Sequence, residues 1–405
     1  MLVCEKVMCD RVYRERMKYH MLKKFSVKNY KNFKDEICID FCDIAGYQFS
    51  MDCISDGTIS KMLIYGRNAT GKTNLGRALI DIIYILYSGL WRINKGTFLN
   101  ADSTEEASVF IYTFQFDGHE MIYRYTRLAN RDLGDEELVI DGKIIYQCDF
   151  RCRRYNFDNL HYVDAETVSI ERYMQSNMFD EADAEETTKY RLPFFKWLIS
   201  NAALKSDSLL LRLSHYIEEM VMITVSQGIM RRPRQIYDGF FESLEDLGAM
   251  ADFEEFLNVM GIECKLALKK LPDDQRELYF AHDRLIPFFE NASSGTLALV
   301  EIYRRIVMAG RDASLLYLDE FDAFYHYEMA ENMICFFKKK YPKCQVIMTT
   351  HNTNLMSNKL MRPDCLFILS TEGKMTPLCK ATQRELREGH NLEKMYISGE
   401  FEKYE

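Results

Sequence analysis

The chain has 405 residues, 47% hydrophobic and 28% charged, with a formal net charge of −9. That is ample material for a core, spread over two to three domains or one large head with insertions. The acidic balance argues against broad coating of nucleic acid, and no apolar run reaches the ~18–20 residues of a membrane span. The 12 cysteines form no C-x-x-C pair and read as reduced thiols of a cytoplasmic protein.

Residues 1–20 carry charges throughout and lack a signal-peptide core, so they are expected to be a disordered N-terminal extension. From Met21, short alternating runs (Phe25, Val27; Ile37, Ile39, Phe41) predict strands. These lead to the apolar run Met62-Leu63-Ile64-Tyr65 and then to Gly66-Arg67-Asn68-Ala69-Thr70-Gly71-Lys72-Thr73, which spells G-x-x-x-x-G-K-T. Beyond it, Leu75, Ala78, Leu79, Ile82, Ile83 and Leu86 fall on one face of a predicted amphipathic helix. Residues 106–148 switch to alternation, broken by Asp117-Gly118 and Asp141-Gly142, which predicts an antiparallel meander. Residues 179–187 read as an acidic linker and 188–260 as helical, with Arg231-Arg232-Pro233-Arg234 a solvated loop. Strands are expected at 263–288 around Pro272-Asp273-Asp274. Helix 296–309, strand 314–318, helix 327–340 and strands 345–349 and 366–370 follow, which is α/β character. The division expected is an extension (1–20), an N-terminal lobe with the P-loop and meander (21–178), a helical insertion (179–262) and a C-terminal lobe (263–405).

The strand–loop–helix setting makes 66–73 a phosphate-binding loop. Gly66 and Gly71 allow the backbone to curl around an anion, and the loop N–H groups with the helix N-terminus present positive charge to it. Lys72 is placed to reach the outer phosphates of a nucleoside triphosphate, and the Thr73 hydroxyl to ligate Mg²⁺.

Leu315-Leu316-Tyr317-Leu318 ends in Asp319-Glu320, an apolar strand closing on two carboxylates. Beside a P-loop strand, Asp319 is the expected Mg²⁺ partner and Glu320 the expected base for an attacking water. Ser293, Ser294 and Gly295 open an apolar helix, a pattern that can make an anion site but, taken alone, reads first as a plain N-cap. His351 stands at the end of the strand Val346-Ile347-Met348, where ligands bind in parallel sheets.

In this order the motifs resemble those of ABC-class ATPases, within them the SMC/RecF-like branch. The chain is similar to the small "AAA family ATPases" of bacterial anti-phage and abortive-infection operons, relatives of the overcoming-lysogenization-defect proteins and of PARIS-type ATPases. The residues that carry the resemblance are FSVKNYKNF (25–33), GRNATGKT, SSGT (293–296), LYLDEFDAFYH (316–326), TTHNTNLMSNKLMRPD (349–364) and ELREGHNLEKMYISGEF (385–401). It implies an α/β ABC-type P-loop ATPase head, with a mixed sheet, an antiparallel meander lobe and a helical insertion, that uses ATP and Mg²⁺. It also implies that Ser293, Ser294 and Gly295 contact the γ-phosphate held by another protomer. Asp322 would cross that interface, and His351 would be the switch histidine. Lys31 and Asn32 would lie near the nucleotide, and His326 would pack. Ala69 stands where this branch usually has Gly, and Gln175 is the candidate Q-loop glutamine.

A composite site of this kind predicts a homodimer or higher oligomer joined head to head by ATP. The stretch after His351 is too short for a TOPRIM nuclease domain and has no Glu…Asp-x-Asp cluster. The expected function is therefore that of a sensor or scaffold in anti-phage defence, controlling an effector protein encoded nearby. The alternative is a RecF/SMC-like repair ATPase acting as an ATP-gated DNA clamp. A transporter subunit, a P-loop kinase and a GTPase fit the Ser-Ser-Gly-Thr and His351 motifs less well.

Overall fold

Two sheets carry the architecture in the computed structural model, which describes residues 21–87, 98–130, 132–177, 191–224, 238–246, 249–272, 275–308 and 313–405. The expected N-terminal extension, the acidic linker at 179–187 and the basic cluster at 231–234 lie outside the described residues.

The first sheet has six strands in the order Met220–Thr224, Leu315–Asp319, Gln345–Thr350, Lys61–Tyr65, Leu366–Leu369, Met375–Pro377. The first five are parallel, and the last pairs antiparallel at the edge. Every residue of the four strands from Leu315–Asp319 to Leu366–Leu369 is buried. Parallel strands covered on both faces lose their alternation and read as continuous apolar runs, which is how they stand in the sequence.

The second sheet has seven strands. The meander Ala107–Phe116, His119–Leu128, Leu133–Ile140 and Lys143–Asp149 is flanked by Met21–Lys28 with Ile37–Asp40 on one side and by Arg154–Asn156 on the other. Both Asp-Gly turns form as the sequence predicts, with Asp117, Gly118, Asp141 and Gly142 all at positive φ. Along Ala107–Phe116 burial alternates strictly, sending Phe110, Tyr112, Phe114 and Phe116 inward. Tyr216, from the helix Leu209–Glu218, meets Phe114 and Phe116 edge-on at 5.5 and 5.8 Å.

Three expectations are corrected. The stretch 188–260 is not helical throughout, because Met220–Thr224 pairs in parallel with Leu315–Asp319 as an edge strand of the first sheet. A short apolar run gives no periodicity by which strand and helix can be told apart. The acidic strand Leu315–Asp319 does not lie beside the P-loop strand, since Gln345–Thr350 is inserted between them. The single helix predicted after Thr73 is two, Lys72–Leu79 and Asp81–Leu86, with a break at Ile80. The break has a cause in the meander. The Tyr112 hydroxyl takes the Ala78 carbonyl at 3.0 Å, while Asp81 accepts from Tyr125 and forms a buried ion pair with Arg127.

The helix Lys72–Leu79 lies directly on the acidic strand at Gly76. A Cβ there would fall 2.4 Å from the Tyr317 ring, which is itself anchored by its hydroxyl to the Lys72 carbonyl at 2.5 Å. Alanine is a better helix former than glycine by about 1 kcal/mol, whereas forcing a methyl into packed core costs about 1–3 kcal/mol. The close approach favours the overpacking cost, so Gly76→Ala is expected to destabilise by up to about 2 kcal/mol and lower the urea midpoint. A midpoint at or above wild type would show that helix and strand are not this close.

Candidate functional site

The loop 66–73 leaves the C-terminal end of the strand Lys61–Tyr65 and runs into the helix Lys72–Leu79. Its two glycines are there for different reasons. At Gly66 a Cβ would meet Thr70 Oγ1 at 2.7 Å and the Leu369 carbonyl at 3.1 Å. Gly71 adopts φ +105, with Phe33 and Asn32 within 3.3 Å of where its Cβ would be. Ala69 is left-handed as well, at φ +67, which explains why glycine is expected there and costs an L-residue about 1 kcal/mol. Arg67, Asn68 and Ala69 are exposed, and Thr70 is buried with its hydroxyl donating to the Arg67 carbonyl at 3.0 Å.

Lys72 is 5% exposed, and its ammonium donates to the carbonyls of Gly66 at 2.6 Å and Arg67 at 3.0 Å. Burial pushes its pKa down, while Glu320, Asp319 and Asp322 pull it back up. These three carboxylates therefore lie within electrostatic reach of the ammonium.

The Thr73 hydroxyl donates to Asp319 Oδ2 at 2.7 Å, and the Thr349 hydroxyl to Asp319 Oδ1 at 3.1 Å. Burial raises the Asp319 pKa against those two bonds. Glu320 is half-buried and left-handed at φ +49, with its N–H donating to Thr349 Oγ1 at 2.9 Å. His351 is exposed just beyond the strand end. Gly66, Asp319, Glu320 and His351 thus stand at the C-terminal ends of neighbouring parallel strands. A hydroxyl and a carboxylate meeting at Thr73 and Asp319 form an oxygen-only donor set that fits Mg²⁺. Among the described residues no group of three His, Cys, Asp or Glu side chains makes a metal cage, so phosphate and water oxygens would complete the ion's shell.

Ser293, Ser294 and Gly295 sit elsewhere. Ser293 caps the helix Ser294–Met308, accepting from the Thr296 N–H at 3.1 Å, and both serines are exposed. A Cβ at Gly295 would meet the Phe324 carbonyl at 3.0 Å, so this helix start rests on the loop after Glu320.

Two side chains depart from expectation. The Asp322 carboxylate is turned inward and 7% exposed, accepting from Thr350 Oγ1 at 2.8 Å, which leaves Ala323 and Phe324 to face outward. His326 does not pack but is exposed at the start of the helix Tyr327–Lys340. Gln175 bonds its neighbour Glu171 at 3.5 Å.

Further contacts brace the site, and of their residues only Asn32 is expected near the nucleotide from the resemblance. Asn32 donates to the Ala69 carbonyl at 3.3 Å and accepts from Asn74, so the turn at 29–33 braces the P-loop. From the C-terminal segment, Tyr396 meets Tyr65 edge-on at 4.8 Å and Glu405 pairs with Arg67. Thr349 is the third, and its position directly before Thr350-His351 was the only clue.

The family described as "AAA domain, putative AbiEii toxin, Type IV TA system" matches residues 61–357, and the chain belongs to it. No curated protein matches the sequence. Among solved structures, the SMC head domain from Thermotoga maritima is similar at 14% identity, over 88% of this chain and 98% of that one, with a TM-score of 0.44. An SmcHead bound to the C-winged helix domain of ScpA shares 16% identity over 86% and 93% of the chains, TM-score 0.44. An Smc head with an extended coiled coil, bound to the C-terminal domain of ScpA and derived from Pyrococcus furiosus, shares 13% over 88% and 96%, TM-score 0.44. The strand order and the family match together make this an α/β AAA domain with a phosphate-binding loop at the end of a central strand of its parallel sheet. Among the described residues no helix is long and apolar enough to cross a membrane.

A nucleotide that binds only the folded chain stabilises it by about 2.7 kcal/mol at a hundred times its Kd. MgATP is therefore expected to raise the thermal midpoint of the wild type by a few degrees. Lys72→Ala should show no such rise, and a full ligand-induced shift in that variant would remove the ammonium from phosphate binding.

Proposed function

We propose that the chain is a Mg²⁺-dependent ATPase whose two copies close head to head on ATP, and that closure controls a separate effector in an anti-phage defence system. One observation carries this reading. Lys72, Thr73, Asp319, Glu320 and His351 gather at one set of strand ends, while the exposed Ser293 and Ser294 start a helix whose neighbours are Phe324 and Tyr325. Ser293 caps its own helix, and the exposed serines are open to a nucleotide that a second copy brings to them.

Within one head, the loop N–H groups and Lys72 hold the outer phosphates, as an anion site at a helix N-terminus does. Thr73 and Asp319 hold Mg²⁺, which when bound offsets charge on the phosphate oxygens. Glu320 orients the attacking water and takes its proton, and His351 stands where it can hydrogen-bond the γ-phosphate end of the substrate. The partner's serines complete the far side. The γ-phosphoryl group passes to the attacking water and its bond to ADP breaks, so ADP and phosphate leave and the use of the cycle is a change of assembly. The description of the family names a putative toxin of a toxin–antitoxin system, which supports a place in growth-arrest or defence chemistry.

Glu320→Gln is expected to lower ATP hydrolysis by about two to three orders of magnitude, the range lost with a preorganised catalytic group. The same variant with MgATP should run as a dimer in size-exclusion chromatography with light scattering. Turnover at the wild-type rate would remove Glu320 from the base role, and a monomer at saturating MgATP would remove the shared site. The dimer-locked protein should also retain the product of the adjacent gene on co-purification. Protection of cells by this chain alone would overturn the separate effector.

A further inference from the structure

Thr349 makes three hydrogen bonds to three consecutive residues of the acidic turn. Its hydroxyl donates to Asp319 Oδ1 at 3.1 Å and accepts the Glu320 N–H at 2.9 Å, and its carbonyl accepts the Phe321 N–H at 3.2 Å. The directions are set by chemistry. A backbone N–H can only donate, so the single hydroxyl proton is left for the Asp319 carboxylate. Thr349 is 0% exposed, so water cannot substitute for either bond.

The consequence lies in the backbone. Successive residues of a strand point to opposite faces, so an ordinary extension of Leu315–Asp319 would send Glu320 away from the side Asp319 serves. Glu320 instead adopts φ +49, a conformation that costs a non-glycine residue roughly 1 kcal/mol or more and persists only where surroundings hold it. The Glu320 N–H bond to Thr349 is such a hold.

We propose that Thr349 is a positioning residue for the ATPase reaction, fixing the Asp319 rotamer and the left-handed turn at Glu320 so that both acids face one nucleotide. It touches no substrate and acts only through these two residues. This rests on the ATPase reading above.

The test uses the full chain and four variants: Thr349→Val, which keeps shape and loses both hydroxyl bonds, Thr349→Ser, which keeps both bonds, Glu320→Gln, and Glu320→Gln with Thr349→Val. Losses on removing a group that orients metal or catalytic ligands run to about 10–100-fold. Thr349→Val is expected to lose kcat in that range and to lose the gain in ATP affinity given by Mg²⁺, and Thr349→Ser to stay within about threefold of wild type in both. Adding Thr349→Val to Glu320→Gln should slow turnover by less than the product of the two single losses, because groups that act through one another are not additive. Wild-type kcat in Thr349→Val overturns the proposal, as does a Thr349→Ser variant as slow as Thr349→Val, or losses that multiply in the double variant. Should Thr349→Val fail to give a cooperative melt, Thr349→Ala takes its place with the same expected and overturning results. A wild type that hydrolyses no ATP sinks the ATPase reading itself. In that case Thr349 is read from ATP binding, where Thr349→Val should erase the gain given by Mg²⁺ while metal-free ATP binds as in wild type. An undiminished Mg²⁺ gain would overturn it there too.

Discussion

The end of one strand holds both halves of the site together. Gln345–Thr350 lies between the P-loop strand and the acidic strand, and its last two carbonyls face opposite ways. The Thr350 carbonyl accepts the N–H of Gly66, the first residue of the phosphate loop, at 3.2 Å. The Thr349 carbonyl accepts the N–H of Phe321, just past the acids, at 3.2 Å. The two hydroxyls both serve the acidic turn, Thr349 bonding Asp319 and Glu320 and Thr350 the Asp322 carboxylate. A displacement of this strand end by an ångström would shift the lysine and the acids relative to each other, and reacting groups tolerate little of that. The burial of all six residues of the strand is what prevents it.

That rigidity is set against strain and buried charge. Asp319 and Lys72 are almost wholly buried in the folded chain, and burial moves each pKa toward the neutral form. Ala69 and Glu320 both occupy left-handed backbone conformations. None of these stabilises the head. They are held in place by features further out, such as the aromatic face of the meander and the buried Asp81–Arg127 pair that joins the second helix after the P-loop to it. A site that is costly at its centre and supported from its rim is common where function sets the residues.

How much could be read from residues alone follows the range of the interactions. The phosphate loop is local chemistry, with glycine, lysine and threonine spaced along eight residues, and it folds where the pattern puts it. The two Asp-Gly turns are equally local. Long-range partnership was not legible. Met220–Thr224 carries no mark of the strand it pairs with, and nothing in Leu315–Asp319 says that another strand will come between it and Lys61–Tyr65. The break at Ile80 is invisible in the helix itself, because Tyr112, Tyr125 and Arg127 of the meander make it. The resemblance placed Asp322 at an interface between protomers, yet Thr350 turns its carboxylate inward in this chain.

This inward turn changes what the loop after Glu320 can do. Its first residues belong to the head's own site, through Thr349 and Thr350, and its next residues, Phe324 and Tyr325, support Gly295 at the start of the serine helix. Phe324 is also exposed, at 37%, so the loop reaches the surface as well. On the two-copy reading, each head's serines serve the other head's nucleotide. The same five or so residues would then lie between a head's own acids and the group it lends to its partner. A Cβ at Gly295 would be 3.0 Å from the Phe324 carbonyl, and packed contacts of this kind shift between discrete arrangements and do not stretch. Loss of the γ-phosphate from one site would therefore be felt at the other through a loop of a few residues, with no need for a long lever arm.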